Sequence, residues 1–169
     1  AVKGLCSTDL CNFEQAVALF GEASLNDANN PSYYMLRAVT RKNKLEQSEN
    51  AIAIYERIID LEYKNDDIKS FKGFALLELD RYDEAVAWIE NILKTSTDND
   101  GLINYYGACF YAQAGDSDKA FECMKTSLQK GYANYYQWTA DCDAVINIAP
   151  IREDSRFKEL LEKYSSIFK

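Results

Sequence analysis

The sequence predicts an all-α protein built as a solenoid of about four helical hairpins plus a C-terminal capping helix. An alanine recurs at intervals of 35, 34 and 35 residues, at Ala16, Ala51, Ala85 and Ala120. A large apolar residue follows each alanine four positions later, so each pair lies on one helical face. Only two prolines and seven glycines interrupt the 169 residues, which favours long helices. Hairpins repeated at this period bury their apolar faces by stacking.

The order of the predicted helices follows from this spacing. The first hairpin is incomplete, with residues 4–10 as the remains of its first helix and residues 14–26 as its second. The later hairpins are predicted at 32–42 and 47–63, at 68–79 and 82–95, and at 102–114 and 117–130. Pro31 suits the first turn of a helix because that position needs no N–H donor. Asn65-Asp66-Asp67 and Gly115-Asp116 are typical of helix starts and interruptions.

Small residues mark the place where each first helix meets its partner. They precede the spaced alanines by about twelve residues and are Gly4, Ala38 or Val39, Gly73, and Gly107 or Ala108. Two antiparallel helices pack closely where both present small side chains. We therefore expect the helices of each hairpin to cross at these positions.

The pattern changes after residue 130. An aromatic-rich stretch with Tyr132, Tyr135, Tyr136 and Trp138 predicts a short helix or turn. An amphipathic helix follows, capped by Asp154 or Ser155, because its apolar residues have helical spacing. These apolar residues are Phe157, Leu160, Leu161, Tyr164 and Phe168. The sequence thus predicts one domain, with a repeat array over residues 1–130 and a capping segment over 131–169.

Four segments, LCNFEQA, ENAIAIYERII, LDRYDEAVAWIENIL and AGDSDKAFECMKTSL, resemble the turn and second helix of tetratricopeptide repeats. The residues from ACFYAQAGDSDKAF to PIREDSRFKELL resemble the end-of-group segment that closes such arrays in many bacterial proteins. The stretch VINIA before Pro150 is longer than in that segment. The resemblance implies a right-handed α-α superhelix that binds a protein or peptide in its concave groove. It also implies structural capping roles for Gly131, Asp141, Asp143, Arg152, Asp154, Arg156 and Phe157.

In this family the first helices line the groove, which gives a candidate protein-binding set. The set is Met35, Val39 and Lys42, then Ser70, Phe74 and Leu77, then Tyr105, Cys109 and Gln113. Phe74 and Tyr105 are the expected anchors because aromatic side chains supply contact area at low entropy cost. A subset of the family clamps chaperone tails with Lys, Asn and Arg, but the matching positions here hold Met35, Ser70 and Phe74. Apolar contacts and backbone hydrogen bonds are expected instead.

Composition argues against several other functions. The net charge of −8 and the pI near 4.6 disfavour nucleic acid and anionic membranes as partners. The sequence contains no stretch of roughly 18 apolar residues, so it predicts no membrane-spanning helix. The absence of histidine excludes Ser-His-Asp and Cys-His catalysis and imidazole metal sites. No glycine-rich phosphate loop occurs, so no cofactor is expected.

The remaining polar candidates have simpler interpretations. Asp98 and Asp100 before Gly101 suit a helix cap better than a calcium loop, whose twelfth position would be Gly107 rather than glutamate. Asp141 and Asp143 are expected to cap a turn or to pair with Arg152 or Arg156. The five cysteines lack a CxxC motif, and we expect buried thiols at Cys109 and Cys123. An odd cysteine count is typical of a reducing compartment, but both cytoplasm and bacterial periplasm stay open.

Sequence reasoning therefore favours a non-enzymatic protein-interaction module, an adaptor or scaffold. The alternative is a structural or self-assembling domain, or part of a larger protein, because an incomplete first hairpin leaves an apolar edge to be covered. A histidine-free enzyme that uses carboxylates, such as a glycosidase or a lyase, is the least favoured hypothesis.

Overall fold

A computed structural model describes residues 12–63, 66–97, 99–139 and 146–168, apart from the side chains of residues 66 and 67. Every regular element within these ranges is helical, and they contain no strand. The all-α prediction is therefore confirmed. The predicted helix over residues 4–10, the cap at Asn65, and Asp98, Asp141 and Asp143 lie outside the described residues.

The helices follow the predicted order closely. They are α1 (Phe13–Asn26), α2 (Pro31–Lys44), α3 (Ser48–Ile59), α4 (Asp66–Glu78), α5 (Tyr82–Thr95), α6 (Leu102–Gln113), α7 (Ser117–Gln129), α8 (Tyr135–Thr139) and α9 (Ser155–Lys163). Short 3₁₀ turns cover Ala149–Ile151 and Ser165–Phe168. Most helix ends lie within two residues of their predicted positions, because the caps that define them are visible in the sequence.

Side-chain caps satisfy backbone N–H groups at several helix starts. The amide oxygen of Asn30 accepts a hydrogen bond from Ser32 N at 3.1 Å, and Pro31 occupies the first position of α2. Asp116 accepts from Lys119 N at 3.1 Å at the start of α7. Asp154 accepts from Arg156 N at 3.0 Å at the start of α9. The predicted cap at Asp154 and the predicted place of Pro31 are confirmed, and each of the three caps pairs a donor that the helix leaves free.

Helix α3 ends earlier than predicted, at Ile59 rather than residue 63. Leu61 N donates to the Ile58 carbonyl at 3.3 Å, and the Tyr63 hydroxyl donates to the same oxygen at 2.6 Å. Both donors fold back onto the last turn and satisfy a carbonyl that an additional helical turn would otherwise use. The pattern of apolar residues continues past Ile59, which explains why periodicity alone predicted a longer helix.

The chain forms two compact units, Ala1–Ala85 and Val86–Lys169. In the first unit, α1 packs on α2, α2 on α3, and α3 on α4. Helix α2 also contacts α4, so the predicted first helices of two consecutive hairpins are neighbours. Phe20, Tyr55 and Phe74 are among the fully buried side chains in this part of the chain.

In the second unit, α6 and α7 form a tightly packed pair. A Cβ atom on Gly107 of α6 would lie 3.0 Å from a methyl carbon of Leu93 and 3.2 Å from Cys123 Sγ. A methyl group here would press on the Leu93 and Cys123 side chains, so the glycine favours the close approach of α6 to α5 and α7. The predicted role of a small residue at this position is thus supported by the geometry.

A side chain of α7 holds the turn that precedes α6. Gly101 is buried and has a positive φ of 84°, and its carbonyl oxygen accepts a hydrogen bond from Ser127 Oγ of α7 at 2.7 Å. Asp100 Oδ1 accepts from Leu102 N at 3.0 Å, in agreement with its predicted capping role. This turn therefore fixes the start of α6 against the end of α7.

Arg156 of α9 forms an ion pair with Asp118 of α7 and so connects the two helices. Its guanidinium donates to Asp118 Oδ1 at 2.7 Å and to both carboxylate oxygens of Asp154, and it lies 4.2 Å from the centre of the Phe121 ring. These hydrogen bonds raise the pKa of Arg156 and lower the pKa of Asp154. Phe157 is buried beside them. The capping role expected of Arg156, Asp154 and Phe157 has a structural basis in these contacts.

The four spaced alanines, Ala16, Ala51, Ala85 and Ala120, are at most 1% exposed. Each of the large residues four positions later, Phe20, Tyr55, Ile89 and Met124, is equally buried. The repeating pattern therefore marks the packed face of the second helix in each predicted hairpin. Separately, no helix within the described part of the chain is long and apolar enough to cross a lipid bilayer.

Candidate binding surface on the first helices

The predicted protein-binding residues lie on α2, α4 and α6, but the structure gives them different degrees of exposure. Five are almost fully buried, namely Met35, Ser70, Phe74, Tyr105 and Cys109. Three are half-buried, namely Val39, Leu77 and Gln113, and Lys42 is exposed. The apolar pattern on the first helices thus includes core positions as well as surface positions.

On the first unit, the ends of α2 and α4 come together. Lys42 Nζ lies 2.8 Å from Glu78 Oε2, and their side chains are 42% and 22% exposed. Val39 lies one helical turn before Lys42, and Leu77 directly precedes Glu78. Burial and the neighbouring Glu78 carboxylate raise the pKa of the Tyr55 phenol. The structure therefore joins α2 and α4 through the Lys42–Glu78 ion pair, and Val39 and Leu77, close to this pair in sequence, are half-buried.

Met35, Ser70 and Phe74 do not belong to this accessible set. Each is 1% exposed, and Met35 and Phe74 are among the largest fully buried side chains. The expectation that Phe74 anchors a ligand therefore needs a correction in detail: its side chain is already surrounded by the protein. Sequence periodicity placed these positions on the inner face of the first helices but did not separate a groove from a core.

On the second unit, Tyr105 belongs to a cluster of aromatic rings. Its ring stacks on Tyr132 with centroids 5.1 Å apart and meets the Trp138 ring edge-on at 4.8 Å. The Tyr105 hydroxyl donates to the Gln137 carbonyl at 3.3 Å, and the Tyr132 hydroxyl donates to Gln137 Oε1. The expected anchor Tyr105 therefore holds α8 against α6 and is 3% exposed.

Gln113 contacts the chain's own C-terminal part as well. Its Nε2 donates to the Asn147 carbonyl at 3.3 Å, and α6 packs against the 3₁₀ turn Ala149–Ile151. Ile148 and Ile151 are buried there. A ligand that used Gln113 would have to displace Asn147 and the neighbouring 3₁₀ turn from α6, and one that used Tyr105 would have to displace Tyr132 and Trp138.

The chemistry of the described side chains is that of a packed helical protein. Burial raises the pKa of the Cys123 thiol to about 12 and the pKa of the Tyr111 phenol to about 12. Both groups are therefore protonated at neutral pH and are poor nucleophiles. Within the described ranges, no three His, Cys, Asp or Glu side chains lie close enough together to hold a metal ion.

Sequence reasoning missed two features that the structure brings out. One is the aromatic cluster, whose members Tyr132 and Trp138 stood out in the sequence only as parts of an aromatic-rich stretch. The other is a pair of arginines on α2, Arg37 and Arg41, whose Nε atoms are buried without a hydrogen-bond acceptor. Their spacing of four residues on one helix was the available signal.

Comparison with known proteins gives no match for this chain among family models, curated proteins or solved structures.

Proposed function

We propose that this chain is a non-enzymatic module of tetratricopeptide type that binds a peptide or protein segment. The observation that carries the proposal is the burial of all four alanines spaced 34 to 35 residues apart, each with a buried large residue one turn later. Such a repeat is typical of helical hairpins that stack and present their first helices for binding. The contact of α2 with α4 in the first unit supports stacking of two consecutive hairpins.

The contact surface that we propose in the first unit is narrower than the predicted set. It consists of Val39, Lys42 and Leu77 together with Glu78, because Lys42 and Glu78 join α2 to α4 and all four side chains are at least partly exposed. Val39 and Leu77 supply apolar contact, and the Lys42–Glu78 ion pair holds the two helices together and offers charged groups at the edge. An extended segment laid over this junction would gain apolar burial with polar contacts at its rim.

A random peptide library displayed on phage provides the test, since it requires no knowledge of the natural partner. Selected peptides are titrated against the wild type, Val39→Ser and Leu77→Ser. We expect each substitution to weaken binding by about tenfold or more, because truncated interface anchors cost that much. Ala53→Ser, on an exposed part of α3, is the matched control and is expected to leave affinity unchanged.

Two results would contradict the proposed surface. One is a selection that yields no peptide binding to the wild type. The other is a loss of affinity of no more than twofold in both serine variants. Circular dichroism of each variant shows whether its helices are intact, so that a loss of fold is not mistaken for a loss of contact.

Self-association is the second candidate, and a patch on the second unit favours it. Tyr136 is 72% exposed, and Tyr135 is 54% exposed with its ring 5.1 Å from that of Phe168. Neighbouring exposed aromatic rings are typical of protein interfaces. Sedimentation velocity across a hundredfold concentration range is expected to show a dimer that Tyr136→Ser weakens, whereas a constant monomer would eliminate this candidate.

A further inference from the structure

Among the residues that the structure describes, Arg37 and Arg41 of α2 have no carboxylate partner, unlike Arg81 and Arg156. Arg81 forms a bidentate ion pair with Glu84, and Arg156 forms ion pairs with Asp118 and Asp154. Arg37 makes no ion pair or side-chain hydrogen bond within the described residues, and Arg41 Nη1 donates to the neutral amide oxygen of Gln47. The chain carries 27 acidic residues against 19 basic ones, so a pair of unmatched arginines is unexpected.

The two guanidinium groups are partly enclosed by the protein. A Cβ atom on Gly21 of α1 would lie 3.8 Å from Arg37 Cζ and 3.9 Å from its Nε and Nη1, so the guanidinium lies against α1 where that helix has no side chain. The Nε atoms of both arginines are buried and have no acceptor. A buried donor on a charged group costs free energy unless an acceptor reaches it.

The two charges also act on each other. They lie one helical turn apart on the same face of α2, where like charges repel. Burial, and then the charge of Arg41, lower the pKa of Arg37. An anion held between them would remove the repulsion and satisfy the donors at the same time.

We propose that Arg37 and Arg41 form a binding site for an oxyanion, a phosphate or carboxylate group, beside Gly21 of α1. The planar guanidinium is suited to such a group because its parallel N–H donors match two oxygens. Arg37 lies two positions after Met35, and Arg41 lies two positions after Val39. Two positions correspond to a rotation of about 200° around the axis of α2. The anion site is therefore on the side of the helix away from Val39, and the peptide and anion tests use different variants, so either proposal can fail without the other.

The test follows the Nε–H signals of arginine in ¹H–¹⁵N spectra of the whole chain. Inorganic phosphate, acetate and chloride are titrated separately at constant ionic strength, and the signals are assigned from Arg37→Gln and Arg41→Gln. We expect the Arg37 and Arg41 signals to shift and saturate with phosphate, acetate or both, and to stay in place with chloride. Saturation by phosphate alone assigns a phosphoryl ligand, and saturation by acetate alone assigns a carboxylate.

The variants distinguish a built site from general charge attraction. Arg41→Gln is expected to weaken anion binding at Arg37 by about tenfold or more, because a charged hydrogen-bond donor is lost. Arg57→Gln, an exposed position on α3, is the control and should bind as the wild type does. If Arg41→Gln does not fold, Arg41→Lys is tested instead. The lysine variant should also weaken binding, since it keeps the positive charge but lacks the parallel N–H donors of the guanidinium. Equal shifts with chloride, or full affinity in the Arg41 variant, would overturn the proposal.

Discussion

Gly101→Ala is expected to lower the unfolding free energy of the second unit by about 3 kcal/mol or more. The backbone of Gly101 has a φ of 84°, which costs an alanine about 1–2 kcal/mol. The new Cβ would lie 2.5 Å from the Ser127 carbonyl oxygen, a backbone atom that cannot rotate away. Relief of this clash would also stretch the buried bond from Ser127 Oγ to the Gly101 carbonyl, worth about 1 kcal/mol or more.

The matched control for this substitution is Gly115→Ala. Gly115 has nearly the same φ, 83°, but nothing lies within 4 Å of the position that its Cβ would take, so only the backbone strain of about 1–2 kcal/mol applies. Urea unfolding followed by tryptophan fluorescence measures the effect, because both tryptophans, Trp88 and Trp138, belong to the second unit. Equal losses in the two variants would show that the contact with Ser127 contributes nothing.

Trp138→Ala is expected to cost about 3–5 kcal/mol, because removing a fully buried aromatic ring leaves a cavity. Trp138 is 0% exposed, packs edge-on against Tyr105 and Tyr132, and its indole N–H donates to the Tyr132 carbonyl at 3.4 Å. Without it, α8 loses the edge-on ring contact with Tyr105 of α6. Circular dichroism during urea unfolding gives the stability, and the remaining Trp88 reports on the same unit.

Tyr136→Ala is the control for the tryptophan substitution. It lies on the same short helix but is 72% exposed, so its removal should change stability by no more than about 0.5 kcal/mol. A loss below about 1 kcal/mol in Trp138→Ala would mean that the aromatic cluster is a surface covering rather than part of the core.

The helices of this protein were largely predictable because their determinants are local. Asn30-Pro31, Gly115-Asp116 and Asp154 define helix ends through contacts with residues no more than three positions away. The early end of α3 was not predictable in the same way. It depends on the Tyr63 hydroxyl reaching back to Ile58, and apolar periodicity does not report such a bond.

The exposure of the predicted groove residues could not be read from the sequence, because burial depends on contacts far apart in the chain. Tyr105 reaches Gln137, 32 residues later, and Gln113 reaches Asn147, 34 residues later. A helical face that looks free in the sequence is therefore covered by residues whose path cannot be read from a repeat pattern. Lys42 is exposed and Leu77 is half-buried, whereas Met35 and Phe74 belong to the core.

The covering of α6 by residues 146–151 has a consequence for how the protein is made. A ribosome that adds roughly 5–20 residues per second needs about 2–8 s to proceed from Gln113 to Ile151. During that interval only the part of α6 that contacts this turn lacks its permanent neighbour, because α7 and α8 cover other parts of the helix as they emerge. Nascent chains that pause in this window are thus the ones for which chaperone assistance matters most.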